Sequence, residues 1–386
     1  MQALVLSGGG AYAAYEVGVM KALFSGLSAV TDYKPLDPAI VTGTSGGALN
    51  GALLLSSAVK DVASAISYME HVWVDKIADG PDTCGSGVFR FRGNVFDFFD
   101  PGCVRLNPVL PFVYLADDAT FLGQDWLRRG VNFLRSSVDL EQRSLELVDL
   151  GSLISTEPYN RLVQETIQTE PIRRSKKILK IAVTNWRTGE LRVFGNEDMS
   201  AEIGRQVVLA SSSIPGVFPS VEIEGEPYVD GGVVMNTPLK PAIDAGADTL
   251  HTIYMDPNVQ AISLAKVRNT VSTAYRMMVI GFGSTMSRDI EIAERINRGT
   301  DAIKKGSALP DKDKKPFGFV AHKVRQIQGK PPYRKLTIHR YHPREDLGGI
   351  FRWLSFGRNH LTQLIKLGVT DTIAHDCVAN RCVLPQ

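Results

Sequence analysis

The stretch AIVTGTSGGALNGALLLSS at residues 39–57 decides which fold the sequence predicts. Its apolar start at residues 39–41 is typical of a short buried strand, and the leucine-rich part after the turn has helical character. Between them, Gly43 and Gly47 enclose a serine in a G-x-S-x-G pattern. Strand, sharp turn and helix in this order are typical of a nucleophile elbow, in which glycines let the backbone turn tightly and present a serine hydroxyl. Ser45 is therefore the candidate nucleophile.

The opening of the chain predicts a second turn between a strand and a helix. Residues 3–6 are typical of a buried strand, residues 11–24 show helical periodicity, and a glycine run at residues 8–10 lies between them. Two interpretations stay open. With Ala13 and Asp32, the glycines match a dinucleotide-binding fingerprint, in which the acid would bind a ribose. Alternatively, the backbone N–H groups of the glycines converge as an oxyanion hole, because no Cβ atom stands in the way.

Strands and helices alternate along most of the chain. Alternation of this kind favours a largely parallel sheet covered by helices. The sequence therefore predicts an α/β fold with a mostly parallel central sheet, and we expect residues 1–386 to form a single domain. The predicted strands after the elbow are residues 178–184, 191–194, 228–233, 249–254 and 335–340, and the predicted helices are residues 61–77, 159–167, 207–213, 239–245, 271–296 and 351–367.

Residues 80–150 interrupt this alternation. Glycines, prolines and aromatic residues at 80–115 follow no single period, and amphipathic helices are predicted at residues 121–134 and 139–147. A segment inserted after the nucleophile helix of an α/β core is where a lid would lie. The alternative is a small satellite core packed beneath a loop. The aromatic residues concerned are Phe89, Phe91, Phe96, Phe98, Phe99, Phe112 and Tyr114.

The overall charge gives no indication of nucleic-acid binding, since Lys and Arg number 43 against 41 Asp and Glu in 386 residues. The segment at residues 304–346 differs from this average. It contains twelve basic and four acidic residues and so carries a net charge of +8. One interpretation is a solvated loop and edge-strand face, and the other is peripheral contact with an anionic lipid surface.

The cysteines and the start of the chain favour a reducing, cytoplasmic location. Cys84, Cys103, Cys377 and Cys382 show no spacing typical of a disulfide framework or a metal site in a chain of this length. Neither a basic region nor a long apolar region precedes the first strand, so no signal peptide is predicted. The longest charge-free stretch contains the elbow and is better explained by it than by a transmembrane helix.

A serine nucleophile needs a base, and none of the seven histidines lies in a glycine-rich loop motif. His339 and His342 lie around a predicted strand end without a third ligand nearby, so we expect no metal site there. Asp230 is the stronger candidate for the base, because it ends a predicted strand and two glycines, Gly231 and Gly232, let a side chain approach it closely. Catalytic groups of open α/β sheets gather at the carboxyl ends of strands, where the elbow and the glycine run would also lie.

Three motifs in order resemble the patatin-like phospholipases over most of the chain: GGG after the first strand, GTSGG at the elbow, and ASSSIPGVFPS followed by YVDGG. The resemblance implies a three-layer α/β fold. It also implies an acyl hydrolase of the phospholipase A or lysophospholipase type with a Ser/Asp dyad and no histidine, metal or cofactor in the catalytic step. Carried over to this sequence, Ser45 is the nucleophile, Asp230 is the base, and the amides of Gly8, Gly9, Gly10 and Gly46 are the oxyanion hole.

The resemblance also suggests how substrate would reach this site. Phospholipids or lysophospholipids would be the substrates, reached by peripheral contact with a membrane. A long acyl chain needs an apolar trough, which we expect the elbow helix and the Phe-rich insertion to line. The insertion would govern access to substrate in a membrane. The residues expected in these two roles are Leu53, Leu54 and Leu55 for the trough and Phe96, Phe98 and Phe99 for membrane contact.

The sequence departs from the family pattern at one point. The family commonly has Arg or Lys two residues after the glycine triplet and then Gly, whereas Tyr12 and Ala13 occupy these positions here. The backbone donors survive, but a cation near the oxyanion or the lipid phosphate is lost. A catalytically weak lipid-binding protein and an acyltransferase therefore stay alternatives, whereas a dinucleotide-dependent oxidoreductase would leave the elbow and the Asp-Gly-Gly motif unexplained. No calcium-binding spacing is present, so we expect the chemical step to need no calcium.

Overall fold

The computed structural model of the protein describes residues 1–57, 62–79, 85–94, 104–105, 108–135, 150–255, 270–307, 334–344, 347–348 and 350–385. Several sequence predictions lie outside these residues: the helix at 139–147, most of the basic segment at 304–346, and all that concerned Phe96, Phe98, Phe99, Cys84 and Cys103. Within the described part of the chain, every helix is too short or too polar to cross a lipid bilayer.

The described strands are β1 Gln2–Leu6, β2 Ile40–Gly43, β3 Arg90–Phe91, β4 Ile154–Ser155, β5 Ile178–Asn185, β6 Leu191–Gly195, β7 Val221–Ile223, β8 Glu226–Asp230, β9 Thr249–Ile253 and β10 Thr337–Tyr341. The large sheet has the order β10-β9-β1-β2-β5-β8-β7, and β6 also pairs with β5. The five strands from β10 to β5 in this order run parallel, whereas β6, β8 and β7 are joined through antiparallel pairs. The prediction of a mostly parallel central sheet is confirmed.

The described helices are α1 Ala14–Phe24, α2 Gly46–Ser57, α3 Val62–His71, α4 Leu110–Arg135, α5 Glu157–Thr166, α6 Thr169–Arg174, α7 Ile203–Ser211, α8 Gly232–Met235, α9 Leu239–Asp244, α10 Thr270–Ser307, α11 Ile350–Trp353 and α12 Arg358–Ile373. A 3₁₀ turn at Gly10–Ala13 precedes α1, and a π-helical turn at Val72–Ile77 continues α3. The predicted strand at 228–233 ends earlier than expected because α8 begins at Gly232.

The predicted closing helix at 351–367 is wrong in its bounds, because the chain forms two helices there. Between α11 and α12, Gly357 has an extended backbone and bridges to Asp79. The Asp79 N–H donates to the Phe356 carbonyl at 2.8 Å. This tertiary pairing replaces the helical hydrogen bonds that a continuous helix would make, so α12 begins only at Arg358.

The first strand lies at the centre of the sheet and is covered on both faces. Leu4 and Leu6 belong to one buried apolar cluster, and Ala3 and Val5 belong to a second one on the opposite face. Successive residues of a strand point to opposite faces, so the sheet separates two cores. Helices cover both faces of parallel sheets, and their strands are therefore nearly continuous apolar runs. The three-layer arrangement follows from this pattern.

Helices α1 and α12 cross closely because each has a glycine at the contact. A Cβ atom on Gly18 would lie 2.0 Å from the Ile365 carbonyl oxygen, and one on Gly368 would lie 2.2 Å from the Tyr15 carbonyl oxygen. Neither position admits a larger side chain without moving a helix. This close crossing fixes the position of α1. Helix α1 comes soon after the glycine run at residues 8–10 in the sequence, so the crossing also helps to position that run.

The register of the sheet brings the predicted site residues to one level. Leu6 of β1 is aligned with Gly43 of β2, and Gly43 is aligned with Ile181 of β5. Two residues further along β5, Val183 is aligned with Asp230. Strand β8 is antiparallel to β5, so Asp230 does not lie at the carboxyl edge of a parallel strand as expected. Strand β8 runs in the direction opposite to β2, but Asp230 at its end is aligned with the part of the sheet where β2 leads into the elbow.

Part of the predicted insertion is described. Strands β3 and β4 form a short antiparallel pair at its two ends, and α4 begins earlier than the predicted helix at 121–134. A buried Arg90 guanidinium donates to both oxygens of Asp118 at 2.7 and 2.8 Å and so ties β3 to α4. Phe89 packs against Phe218 and Phe356 with ring centroids 6.2 and 6.0 Å apart. This partly buried ring therefore packs against the main apolar core, not against a separate satellite core.

Candidate active site

Ser45 lies in the turn between β2 and α2 with a φ of 54°. A residue other than glycine in this left-handed region is uncommon, and such strain occurs most often at functional turns. The neighbouring glycines are required by close backbone contacts. A Cβ atom on Gly43 would lie 2.4 Å from the Gly47 carbonyl oxygen, and one on Gly47 would lie 2.6 Å from the Leu6 carbonyl. The strand, sharp turn and helix expected of a nucleophile elbow are present.

Asp230 ends β8 as a buried side chain beside this turn. The Ser45 side chain interacts with its carboxylate in a way that lowers the pKa of Asp230, and the Gly232 N–H donates to Oδ1 at 2.7 Å. Burial raises the pKa of Asp230 from 3.8 to about 7, and these two interactions oppose the rise only in part. Gly231 is required here because a Cβ atom would lie 2.3 Å from the Ala182 carbonyl oxygen of β5. The two glycines after Asp230 thus have separate roles.

The serine-rich segment at residues 211–213 holds both groups in place. Ser211 Oγ accepts the Ser45 N–H at 2.9 Å and donates to the Ala182 carbonyl at 2.8 Å. The Asp230 N–H donates to the Ser213 carbonyl at 2.9 Å. Sequence analysis quoted this segment as part of a motif but assigned no role to Ser211. The ASSSIPGVFPS motif marked this segment as important, but the contact of Ser211 with Ser45 depends on tertiary packing and could not be predicted from the motif.

The glycine run after β1 faces the elbow. A Cβ atom on Gly8 would lie 2.9 Å from Ser45 Cβ, so only glycine lets the two turns approach this closely. The Gly8 N–H, however, donates to the Asn236 carbonyl at 3.0 Å. Gly8 is therefore not an available oxyanion donor, contrary to expectation, because its N–H is engaged in joining the loop to the segment after α8.

The other three predicted donors differ from Gly8. Among the described residues, the N–H groups of Gly9, Gly10 and Gly46 have no hydrogen-bond acceptor. Gly9 lines the cavity in front of Ser45, whereas Gly10 and Gly46 line a narrower pocket behind it. Gly10 has a φ of 54° and packs against the Trp353 backbone, where a Cβ atom would lie 2.6 Å from the carbonyl oxygen. These three N–H groups are the available backbone donors of the predicted set near Ser45.

A cavity of about 510 Å³ opens in front of Ser45 and Asp230. Trp186, Val233 and Met277 line it and are also more than half exposed, so its mouth is apolar. Behind Ser45, the narrower pocket of about 40 Å³ is lined mainly by apolar side chains, namely Leu49, Trp73, Ile77, Val88, Phe218, Leu354 and Phe356.

The leucines predicted to line an acyl trough are not part of either space. Leu53, Leu54 and Leu55 are buried in the core beneath α2, because the helix turns their side chains away from the nucleophile. Leu49, one turn nearer to Ser45, lines the pocket instead. Helical periodicity explains the error, since consecutive residues of a helix point in different directions.

Tyr12 stands where the family pattern has a cation, and it is buried rather than directed into the cavity. Its ring meets His360 edge-on with centroids 6.1 Å apart. Among the described residues, no histidine lines either space beside Ser45. The only ionisable side chain of the described residues that lines the larger cavity with Ser45 is that of Asp230.

A buried polar network supports the glycine run from behind. Asn50 of α2 donates to the Ala13 carbonyl at 2.9 Å and to Glu16 Oε2 at 2.8 Å, and Trp73 Nε1 donates to Asn50 Oδ1 at 2.7 Å. Burial raises the pKa of Glu16 well above its ordinary value. The network joins the turn before α1 to the elbow helix. It relates the glycine run to the elbow through side chains of which only Trp73 lines a space beside Ser45.

One group of side chains in the described part of the chain could hold a metal ion. His339, His375, Cys377 and Cys382 place one ligand atom each within 4.8 Å of one another. The sequence analysis missed this set, although it noted His339 and both cysteines separately. The missing ligand was His375, and a signal existed in the pattern H-x-C-x-x-x-x-C at residues 375–382. None of the four lines the spaces beside Ser45.

Of the comparisons with known proteins, the match to a family model shows the family of this chain. A search of curated proteins gives no match. The crystal structure of VipD from Legionella pneumophila is similar at 17% sequence identity and a TM-score of 0.34, over 94% of this chain and 66% of the VipD chain. The chain thus spans just under two thirds of the length of that protein. The family model for patatin-like phospholipases matches residues 4–243, more than half of the chain. This protein therefore belongs to the patatin-like phospholipase family.

Proposed function

We propose that this protein is a lipid acyl hydrolase of the phospholipase A or lysophospholipase type, acting through a Ser45 acyl-enzyme with Asp230 as the base. One observation carries the proposal: Ser45 and the buried carboxylate of Asp230 line the same cavity, whose mouth is apolar. Family membership supports lipid acyl hydrolysis in general. The dyad, the oxyanion donors and the lipid class are our inference.

The proposed reaction begins when Asp230 accepts the Ser45 proton as Oγ attacks the ester carbonyl carbon. The carbonyl electron pair moves onto oxygen, and the amides of Gly9, Gly10 and Gly46 stabilise this oxyanion. When the tetrahedral intermediate collapses, the bond to the alcohol oxygen breaks and Asp230 returns the proton to the leaving alcohol. Water then attacks the acyl-enzyme by the same route, releases the fatty acid and restores the serine.

Burial supports the assignment of Asp230 as the base. A carboxylate with an ordinary pKa near 4 is a weak base, and proton transfer is most efficient when the pKa lies near the working pH. The pKa of about 7 meets this condition. In this proposal Asp230 takes the Ser45 proton directly, so the dyad needs no histidine between the two side chains.

The two spaces beside Ser45 suggest how a lipid is oriented. The larger cavity, with its apolar mouth, admits a bulky substrate from outside, whereas the narrow apolar pocket behind Ser45 fits the first carbons of an acyl chain. In this arrangement the ester carbonyl lies between the two, beside the three free amides. With Tyr12 in place of the family's cation, no Lys or Arg among the described residues lines either space to select a particular head group.

We further propose that residues 80–150 form a lid within a single domain of residues 1–386, and that the lid contacts the membrane. Helix α4 supports this interpretation because it exposes large apolar side chains. Phe112, Trp126 and Leu127 are 62%, 69% and 71% exposed. Exposed apolar residues of this size are costly in water and suit an interface with lipid. A cytoplasmic protein that binds membranes peripherally would expose such residues.

The test compares Ser45→Ala and Asp230→Asn with the exposed control variants Ser25→Ala and Asp244→Asn. Hydrolysis of p-nitrophenyl butyrate and of phosphatidylcholine and lysophosphatidylcholine would be measured, together with labelling by a fluorophosphonate. We expect each dyad variant to lose at least about 10³-fold in kcat, and the double variant to lose no more, because the two residues act as one unit. Both controls should stay near the wild type.

Three results would contradict this proposal. Near-normal turnover by Asp230→Asn would show that Asp230 is not the base. An equal loss in His360→Ala would point to a histidine mechanism. Fluorophosphonate labelling of Ser45 without hydrolysis of any ester, but with acyl transfer to an added alcohol, would make the protein an acyltransferase instead.

A further inference from the structure

A second cluster of chemically reactive side chains lies at the β10 edge of the large sheet. His339 belongs to β10, the edge strand, while His375, Cys377 and Cys382 belong to the segment that follows α12. This segment returns along β10, where Ile338 and Val383 exchange backbone hydrogen bonds at 2.8 and 2.9 Å. Residues from two places in the sequence therefore meet at one point of the fold.

The ligand atoms have the spacing of a tetrahedral site. Cys377 Sγ lies 3.5 Å from His339 Nδ1 and 3.7 Å from His375 Nε2, and Cys382 Sγ lies 3.4 Å from His375 Nε2. Zinc bonds of about 2.3 Å to sulfur and about 2.0–2.1 Å to nitrogen at tetrahedral angles place these atoms about 3.5–3.6 Å apart. All four atoms lie within 4.8 Å of one another, so one ion can reach every ligand.

The backbone between the two cysteines is folded in advance. Asp376 Oδ1 accepts the N–H groups of Val378 and Ala379 at 2.8 and 2.7 Å, and the Cys382 N–H donates to the Cys377 carbonyl at 2.8 Å. Arg381 has a φ of 53°, which turns the chain back toward β10. The C-x₄-C spacing is slightly wider than the C-x₂ form but within the range of structural zinc sites. Both thiols therefore point to the same side of the loop.

Neighbouring groups also match a metal site. The Arg340 N–H of β10 donates to Cys382 Sγ at 3.4 Å, a contact that stabilises a thiolate. The His339 ring stacks on His251 with centroids 5.1 Å apart, and the His375 ring packs on Tyr341 at 4.5 Å. All four ligand residues are half-buried. The imidazoles are thus held in position by packing before any ion arrives.

We propose that His339, His375, Cys377 and Cys382 bind one zinc ion that fastens the segment after α12 to strand β10. Two thiolates and two imidazoles in a tetrahedron favour Zn²⁺ over the harder Ca²⁺ and Mg²⁺ ions, which prefer oxygen. Four protein ligands complete the coordination and leave no position for a substrate. The site is structural and lies apart from the cavity beside Ser45.

The test measures metal content in the full chain. Protein is expressed in zinc-supplemented medium, purified under reducing conditions and desalted, and its zinc is measured by mass spectrometry. We expect about one zinc ion per chain in the wild type, and less than about a tenth of that in Cys377→Ser/Cys382→Ser, because a closed site needs both thiolates. Two matched controls, Cys84→Ser/Cys103→Ser and His342→Gln, should keep the wild-type amount.

A spectroscopic readout keeps the proposal falsifiable where a cysteine variant folds poorly. The wild type, stripped of metal and refilled with Co²⁺, should show visible ligand-field bands of tetrahedral cobalt and a near-ultraviolet charge-transfer band from thiolate. The His375→Ala variant should lose or shift these bands while circular dichroism shows a folded chain. Wild-type protein that takes up no stoichiometric zinc or cobalt after reduction would overturn the proposal, and so would a Cys377–Cys382 disulfide that forms in place of metal binding in reducing buffer.

Discussion

Two polar clusters on the same sheet show how position decides what reactive side chains can do. Ser45 follows β2 and Asp230 ends β8, and both side chains line one open cavity. His339, Cys377 and Cys382 lie on or beside the edge strand, where the ligand atoms are close together and none of them lines the two spaces beside Ser45. The first cluster leaves room for a substrate between its donors and its base. The second brings four ligand atoms within reach of one ion, which suits the structural role that we propose for it.

The largest effect expected from this contrast is on the pH dependence of turnover. Asp230 acts as a base only when ionised, so kcat for a soluble ester should rise with pH and level off above its pKa of about 7. Below that value the rate should fall by about tenfold per pH unit. Rates of p-nitrophenyl butyrate hydrolysis between pH 5 and pH 8.5 measure this, with circular dichroism as a control for folding. A flat profile over that range would contradict the role of the buried carboxylate.

The same burial should make Asp230 a cost to stability. Its folded pKa is raised from 3.8 to about 7, so the folded chain retains a proton that the unfolded chain releases. Stability therefore falls as pH rises from about 4 to about 7, and the full loss is present above that range. Asp230→Asn should be more stable than the wild type by a few kcal/mol at pH 8 and almost equal at pH 4.

Urea unfolding at the two pH values measures this difference. Asp244→Asn, an exposed residue paired with Lys240, is the matched control and should show no such dependence on pH. Equal stability of Asp230→Asn and the wild type at pH 8 would mean that the carboxylate is already well stabilised as an anion.

An intermediate effect is expected where the active-site region meets lipid. Replacing Phe112, Trp126 and Leu127 with Ser should lower hydrolysis of phospholipid vesicles by about tenfold or more, because burying one such side chain contributes about 1.5–3 kcal/mol. Turnover of a soluble ester and the melting temperature should hold. The same measurements apply to Phe96, Phe98 and Phe99, whose role in membrane contact stays a prediction.

The control for the lid is Ile373→Ser, an exposed apolar position on α12. It should leave vesicle hydrolysis unchanged. A large fall in the melting temperature of the triple variant would show instead that these side chains belong to the core, and the lid assignment would then fail.

The smallest effect should come from removing metal. Chelation should lower the melting temperature, because a structural ion that binds only the folded chain stabilises it. Turnover of a soluble ester at 25 °C should stay within about twofold, since the four ligands lie outside the active-site cavity. Loss of turnover that calcium alone restores would contradict the expectation that calcium is not needed. Loss that zinc alone restores, with the fold intact, would mean that the two clusters are coupled.

How far the sequence predicts each region depends on how local its geometry is. Ser45 with Gly43 and Gly47 forms one turn, and Asp230 with its two glycines forms another, so each motif already contains most of its own contacts. The central strands were predicted for the same reason, since unbroken apolar runs indicate burial on both faces. The family resemblance then predicted that these motifs form one site, which no single motif could indicate by itself.

Contacts between distant segments were not predictable in this way. The engagement of the Gly8 N–H by Asn236, the Ser211 contact to the elbow and the reversed direction of β8 all depend on how segments far apart in sequence pack. The His/Cys cluster is the clearest case. His339 and Cys377 are separated by the whole of α12, so spacing rules for short motifs could not connect them.

The return of the segment after α12 along β10 has a consequence for how copies of the chain behave together. An edge strand offers unpaired N–H and C=O groups to which a strand of another molecule can add. Here the outward N–H groups of Ile338 and Arg340 are engaged by the Val383 carbonyl and by Cys382 Sγ. If this segment were released, the backbone groups of β10 would become free to pair with a strand of another molecule. We therefore expect oxidation or zinc starvation to cause concentration-dependent aggregation before any loss of ester hydrolysis.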